Sequence, residues 1–317
     1  MTVLTHPMHY ESEMRWKRSS TSQVTDRRGA GGGGGLGRLG GLGGGGGIPI
    51  PMGRGGLTGI SGLIVLGIIV LFVVFGGGGG GSPGLGGGGG GGGASSLDPN
   101  DEVAQFVNAV TVDLQTFWDD EFRGSGQDYT ETTLVLFSEA TSTGCGTASS
   151  ATGPFYCSLD DHVYLDTSFF EELRTRFGAP GDFAQAYVIA HEFGHHVQDE
   201  LGTLEIVDQQ RRANPDAANE LSIRLELQAD CLAGMWAHDV NTNPDDADVQ
   251  SITDEDISEG LAAAAAVGDD RIQESTTGRI DPESWTHGSA EQRMRWFRAG
   301  FEEGTIEACD TFNADSL

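Results

Sequence analysis

His191, Glu192 and His195 fall in one run, His191-Glu192-Phe193-Gly194-His195, and that spacing suits metal chemistry. At 3.6 residues per turn, positions i and i+4 of a helix share a face, so both imidazoles can reach one zinc ion. Glu192 sits one residue round from His191, too close to be a convenient ligand but well placed to take a proton from an attacking water. The uncharged flanks, Val188-Ile189-Ala190 and Val197, fit a buried helix; the competing reading is a core helix with two hydrogen-bonded histidines. Two histidines leave a tetrahedral zinc short of one protein ligand, its fourth position being kept for water. Glu226, 31 residues beyond His195, is the best candidate for the third. Asp230 follows it on the same helical face and can accept a hydrogen bond from the non-ligating nitrogen of one histidine. Both carboxylates lie among Leu225, Leu227, Ala229, Leu232, Ala233 and Trp236. Carboxylates in such a helix are buried, and buried carboxylates need a cation. The alternative is a solvated acidic face paired with Arg224.

The two segments together resemble the gluzincin pattern, HExxH followed by a helix carrying ExxxD. Longer strings narrow the match: Gly153-Pro154-Phe155-Tyr156-Cys157, Val163-Tyr164-Leu165-Asp166, Ser168-Phe169-Phe170 and the run from Arg176 to Tyr187. With Gly268-Asp269-Asp270-Arg271, Thr286-His287-Gly288-Ser289 and Gln292-Arg293, they closely resemble the putative neutral zinc metallopeptidase family of bacteria. The resemblance covers about residues 98–312 and, more loosely, the N-terminus. It implies a single-pass membrane protein with an external domain that binds one Zn2+ through His191, His195 and Glu226 and acts on peptide or protein substrates through Glu192. In some membrane gluzincins a histidine in a comparable C-terminal segment stabilises the oxyanion, which makes His287 a second catalytic candidate. The other reading of His287 is a loop histidine without that role. His162, His196 and His238 have no second feature and read as structural or exposed.

Fifty-one of the 317 residues are glycine, concentrated in tracts 29–56 and 76–93. Between them Leu57 to Phe75 runs for nineteen residues without a charge, long enough to cross a bilayer as a helix. A cleavable signal peptide would be shorter and nearer the N-terminus. Residues 1–75 hold seven Lys and Arg against three acids, a net of +4, which leaves −33 for the remainder of a chain whose total is −29. The positive-inside rule then places residues 1–56 in the cytoplasm as a basic, Gly-rich tail, with 57–75 as the anchor, 76–97 as linker and 98–317 as the extracytoplasmic catalytic domain. As a flexible coil that linker holds the domain on the order of 25 Å from the membrane. The glycine tracts lack the surroundings of a phosphate loop. The acidic balance of the domain, with no lysine after Lys17, argues against nucleic acid as a partner. It suits a high-salt setting, or merely an acidic proteome.

Four cysteines fit an oxidising exterior, and of three connectivities the local one pairs Cys145 with Cys157 and Cys231 with Cys309. A zinc-thiolate site and a free buried Cys231 are the alternatives. Past residue 97 the pattern predicts a helix over 99–122, strands at Thr133–Phe137 and His162–Leu165, and a helix from Ser168 to Phe177. Asp182 and Gln185 resemble a capping box for the motif helix, which runs to about Leu201. Asn214-Pro215 opens the ligand helix, about 215–238. Thr253 caps an alanine-rich helix ending at Gly268, and Ser289 with Gln292 caps a last helix reaching about Glu303. The expected fold is α+β, a helix-dominated zincin-like metallopeptidase domain with a small sheet, preceded by one transmembrane helix. The His162–Leu165 strand is either a sheet edge that receives extended peptide or an ordinary strand.

The chemistry expected is metal-assisted amide hydrolysis with Glu192 as general base. Two rivals stand beside it: a zinc-stabilised envelope scaffold that cleaves nothing, and a zinc amidohydrolase acting on a non-peptide envelope substrate. A purely structural zinc site would be closed by a fourth protein ligand and would have no use for Glu192. Met14-Arg15-Trp16 followed by Asp26-Arg27-Arg28-Gly29 resembles the usual start of the family. Residues 1–13 carry no targeting pattern, and translation from Met14 would raise the basic tail from +4 to +6.

Overall fold

The protein is described here from a computed structural model, which covers residues 14–28, 97–243 and 248–317. Its longest helices form where apolar residues recur at helical spacing. α1 (Glu102–Gly124) begins where the Asp101 carboxylate accepts the Ala104 amide, and it buries Val107, Val110, Leu114 and Trp118. Further on lie α2 (Ser168–Thr175), α3 (Asp182–Glu200), α4 (Thr203–Ala213) and α5 (Ala218–Thr242). The chain closes with α6 (Asp254–Ala266), α7 (Asp269–Thr277) and α8 (Ala290–Glu303). Capping boxes start α6 at Thr253 with Asp256 and α8 at Ser289 with Gln292.

A four-stranded sheet packs against these helices in the order β2 (Val24–Asp26), β3 (Thr133–Phe137), β7 (His162–Asp166), β6 (Phe155–Cys157). β2–β3 and β3–β7 are parallel, and β7–β6 is antiparallel. Leu134, Leu136, Val163 and Leu165 point into the main core, while Val135, Phe137, Phe155 and Tyr164 form a smaller cluster on the other face. Strands covered on both faces carry the near-continuous apolar runs seen here. β1 (Arg15–Trp16) pairs with β8 (Val249–Ser251), and β4 (Ala140–Thr143) with β5 (Gly146–Ser149), as separate ribbons. Both expected disulfides are present, Cys145–Cys157 beside the small cluster and Cys231–Cys309 between α5 and the C-terminal segment.

The helix-dominated α+β expectation holds, with four corrections. Of the two readings of His162–Leu165 the ordinary strand holds: β7 lies between β3 and β6, and the sheet's edges are β2 and β6. Asp182 is the first residue of α3, not its cap; Gly181 holds the cap position, and the Asp182 carboxylate accepts the Phe183 amide. The alanine-rich helix stops at Ala266, and Gly268 then caps the separate α7. The helix α4, before Asn214-Pro215, was not anticipated.

The last correction concerns the domain boundary. Residues 14–28 are not a separate tail: Val24, Thr25 and Asp26 pair with Leu134, Val135 and Leu136, and Met14 and Val24 are buried. Trp16 packs edge-on to Phe106 with ring centroids 5.7 Å apart, and the Asn108 side chain accepts the Gln23 amide and donates to Thr21. Residues 14–28 and 97–317 therefore share one side of any membrane, whereas a single crossing would divide them. The 57–75 segment expected to cross lies outside the described residues, and among the described residues no helix is long and apolar enough to span a bilayer. A chain beginning at residue 97 should melt on the order of 10 °C below one retaining residues 14–28, from the lost burial of Met14 and Val24 and an opened β3 edge. Adding the 14–28 peptide in trans should raise its melting temperature in a calorimetric titration.

Candidate metal centre and active site

Gly194 sets the distance between the two helices that build the site. It lies between His191 and His195 on α3, and a Cβ there would come within 2.9 Å of the Ala229 Cα on α5. That contact lets the backbones approach closely enough for Glu226 to face the histidine pair. His191 Nε2 is 3.3 Å from Glu226 Oε2, and His195 Nε2 is 3.7 Å from Glu226 Oε1. All three residues are buried, and one ligand atom from each lies within 4.8 Å of the others. His195 Nε2 and Glu226 Oε2 have no hydrogen-bond partner. Buried polar atoms are rarely left so, and two imidazole nitrogens converging on a carboxylate form a donor set that fits Zn2+.

Each histidine is oriented through its other nitrogen. His191 Nδ1 donates to Asp230 Oδ1 at 2.9 Å, the contact expected from the ExxxD spacing. His195 Nδ1 meets Gln198 Oε1 at 2.9 Å, and the Gln198 amide donates to the Leu225 carbonyl at 2.7 Å. Asp230 also accepts from the Tyr187 hydroxyl and from Arg293, whose Nε and Nη2 each lie 2.8 Å from a carboxylate oxygen. Burial alone would raise Asp230, but the Arg293 and His191 charges hold it below the usual carboxylate range. Glu226 follows the same logic: burial opposes its ionisation, and the fields of His195 and His191 overcome it.

Glu192 lines the cavity beside His191 and Glu226, and burial pushes its carboxyl up from the ordinary value. A general base benefits from that direction of shift. His287 lines the same cavity. Its Nδ1 is 3.1 Å from Asp269 Oδ1, while Asp269 Oδ2 accepts the amides of Thr286, His287 and Gly288 at 2.7, 2.7 and 3.1 Å. Burial disfavours protonation of His287, yet the Asp269 hydrogen bond and the Glu226 charge raise it above an ordinary histidine. Phe169, Phe177, Val188 and Ile272 give the cavity an apolar wall.

The structure thus gathers His191, Glu192, His195, Glu226, Asp230 and His287 at one place. His196 lies elsewhere, with Nε2 on the Thr130 carbonyl, and His238 Nδ1 meets the Phe301 carbonyl. The sequence reading gave no role to Gln198, Asp269, Tyr187 or Arg293. Gln198 could have been found, since it stands three residues past His195 on the same helical face. Asp269 and Arg293 reach the site only through the packing of α7 and α8.

The model of the family described as putative neutral zinc metallopeptidase matches residues 14–312. The uncharacterized protein YpfJ of Escherichia coli K12 is 41% identical over 303 residues, 94% of this chain and 99% of that one. The uncharacterized protein Rv2575 of Mycobacterium tuberculosis H37Rv is 50% identical over 194 residues, 60% of this chain and 65% of its own length. No solved structure matches the chain. Replacing Glu226 by Ala should abolish stoichiometric zinc in the purified protein, read by elemental analysis. Asp230→Asn should weaken zinc affinity roughly 10–100-fold in a chelator competition.

Proposed function

The chain belongs to the putative neutral zinc metallopeptidase family, and we propose that it hydrolyses peptide bonds with one zinc ion held by His191, His195 and Glu226. The observation that carries this reading is the convergence of three buried ligand atoms, two without any other partner, beside the cavity-lining Glu192. Zinc in that position would supply Lewis-acid polarisation of the scissile carbonyl and would acidify water from ~15.7 towards ~7. The remaining steps belong to the chain's own residues. Glu192 takes the proton from the attacking water and delivers it to the leaving amine. His287, protonated and with its Nδ1–H donated to Asp269, offers Nε2–H to the oxyanion that develops on the carbonyl. Asp230 and Gln198 fix the two ligand imidazoles, and Arg293 keeps Asp230 ionised. Extended peptide lies along β6, the sheet edge that follows Thr152, Gly153 and Pro154 at the cavity.

Two disulfides fit an oxidising compartment, so we place the domain on the outer side of the cell membrane, together with residues 14–28. Residues 57–75 can hold it there only if the chain enters and leaves the bilayer on the same face. The cluster among the described residues offers three ligands rather than four, which favours an enzyme over a scaffold.

Glu192→Gln should keep zinc and the native melting temperature while lowering kcat by roughly 10²–10⁴-fold. Turnover equal to wild type, with contaminating proteases excluded, would sink the assignment. His287→Ala should lower kcat about 10²–10³-fold with zinc content unchanged. The assay is a peptide-library digest by the zinc-loaded full chain.

A further inference from the structure

The cavity beside the zinc ligands has an apolar side that the hydrolytic steps leave unused. Pro154, Phe169, Phe177, Val188, Val267 and Ile272 line it together with the polar groups. Phe177, Val267 and Ile272 are only half-buried, and the Phe169 and Phe177 rings lie 6.3 Å apart between centroids. Apolar side chains left open to a concave recess mark a place for an apolar group of a ligand. Helical spacing sets its position relative to the chemistry. Val188 precedes Glu192 by four residues on α3, and Ile272 follows Asp269 by three on α7, so each stands one turn from a group that serves the reaction. Asp269 holds His287, which lines the same cavity. The recess therefore adjoins the scissile bond rather than a remote part of the substrate.

No charged group among the lining residues is left over for a polar side chain. Arg293 commits Nε and Nη2 to Asp230 and Nη1 to the Val267 carbonyl. An acidic side chain would meet Glu192 and Glu226, and a basic one would pair with Glu192 and take the base out of use. The cavity volume is about 90 Å³, against the ~150 Å³ of an apolar cavity that binds benzene. That room suits an aliphatic side chain and excludes an indole or a phenol. Given the zinc-dependent hydrolysis proposed above, on which this rests, we infer that the recess takes the side chain next to the cleaved bond and selects valine, isoleucine or leucine, with Val188 and Ile272 bounding it.

Binding of N-acetyl amino-acid hydroxamates tests the recess without any cleavage, because the hydroxamate chelates zinc and directs the adjoining side chain beside it. The series carries glycine, valine, leucine, phenylalanine, tryptophan, aspartate and lysine side chains, each titrated calorimetrically into the zinc-loaded full chain. Valine and leucine should bind at least about tenfold more tightly than the other members. Ile272→Ala widens the recess from α7, which carries no zinc ligand, and should raise phenylalanine relative to leucine by about tenfold. Ile272→Trp fills the recess and should bring leucine down to the affinity of glycine. The wild-type series decides the matter whether or not the variants fold. Uniform binding across it would overturn the selectivity while leaving the zinc site standing, and so would tightest binding of an aromatic or charged member. If no member binds, the zinc site itself fails and the recess with it.

Discussion

An ionised carboxylate without access to water must find its donors inside the protein, and leaving it unpaired is strongly destabilising. Asp230 is fully buried and meets that requirement from two helices: His191 and Tyr187 on α3, and the Arg293 guanidinium on α8. Arg293 in turn donates to the Val267 carbonyl at the end of α6. Asp230 and Arg293 thereby fix the relative positions of four helices and the orientation of the His191 imidazole. Stability and chemistry meet in the same contact, so a change at Asp230 acts on both.

Close helix approach makes the contact possible. Beyond Gly194, Gly234 of α5 and Gly300 of α8 stand where a Cβ would meet the Phe297 carbonyl oxygen at 2.0 Å and the Cys231 carbonyl oxygen at 1.9 Å. These two glycines bring the α5 and α8 backbones together, and the Cys231–Cys309 bridge closes the same region covalently. Arg293 reaches Asp230 because α8 is held at that short distance. Sequence separation between the partners is large, but the packing leaves little room for another arrangement.

This explains what the sequence could reveal. The pairs His191/His195 and Glu226/Asp230 were legible because helical periodicity puts i and i+4 on one face, and their apolar neighbours imply burial. Cys145 and Cys157 were legible for a similar local reason. Asp269 and Arg293 were not, because their roles exist only after α7 and α8 dock. β2 was hidden differently: three residues beside a glycine tract carry little periodicity, and their partner is more than a hundred positions away. Whether His162–Leu165 was a sheet edge or an ordinary strand was not legible, because strand order, unlike strand position, is a tertiary property.

The parallel pairing of β2 with β3 also has a temporal side. Val24 leaves the ribosome early, but its partner Leu134 follows about 110 residues later, at synthesis rates of roughly 5–20 residues per second. For several seconds the N-terminal strand has no sheet to join. The chain must keep its Val24 segment unpaired and soluble through that interval, and the adjacent polar run Arg18-Ser19-Ser20-Thr21-Ser22-Gln23 suits such waiting. Sheet completion is thus a late, non-local event, so the first residues made are among the last to fold.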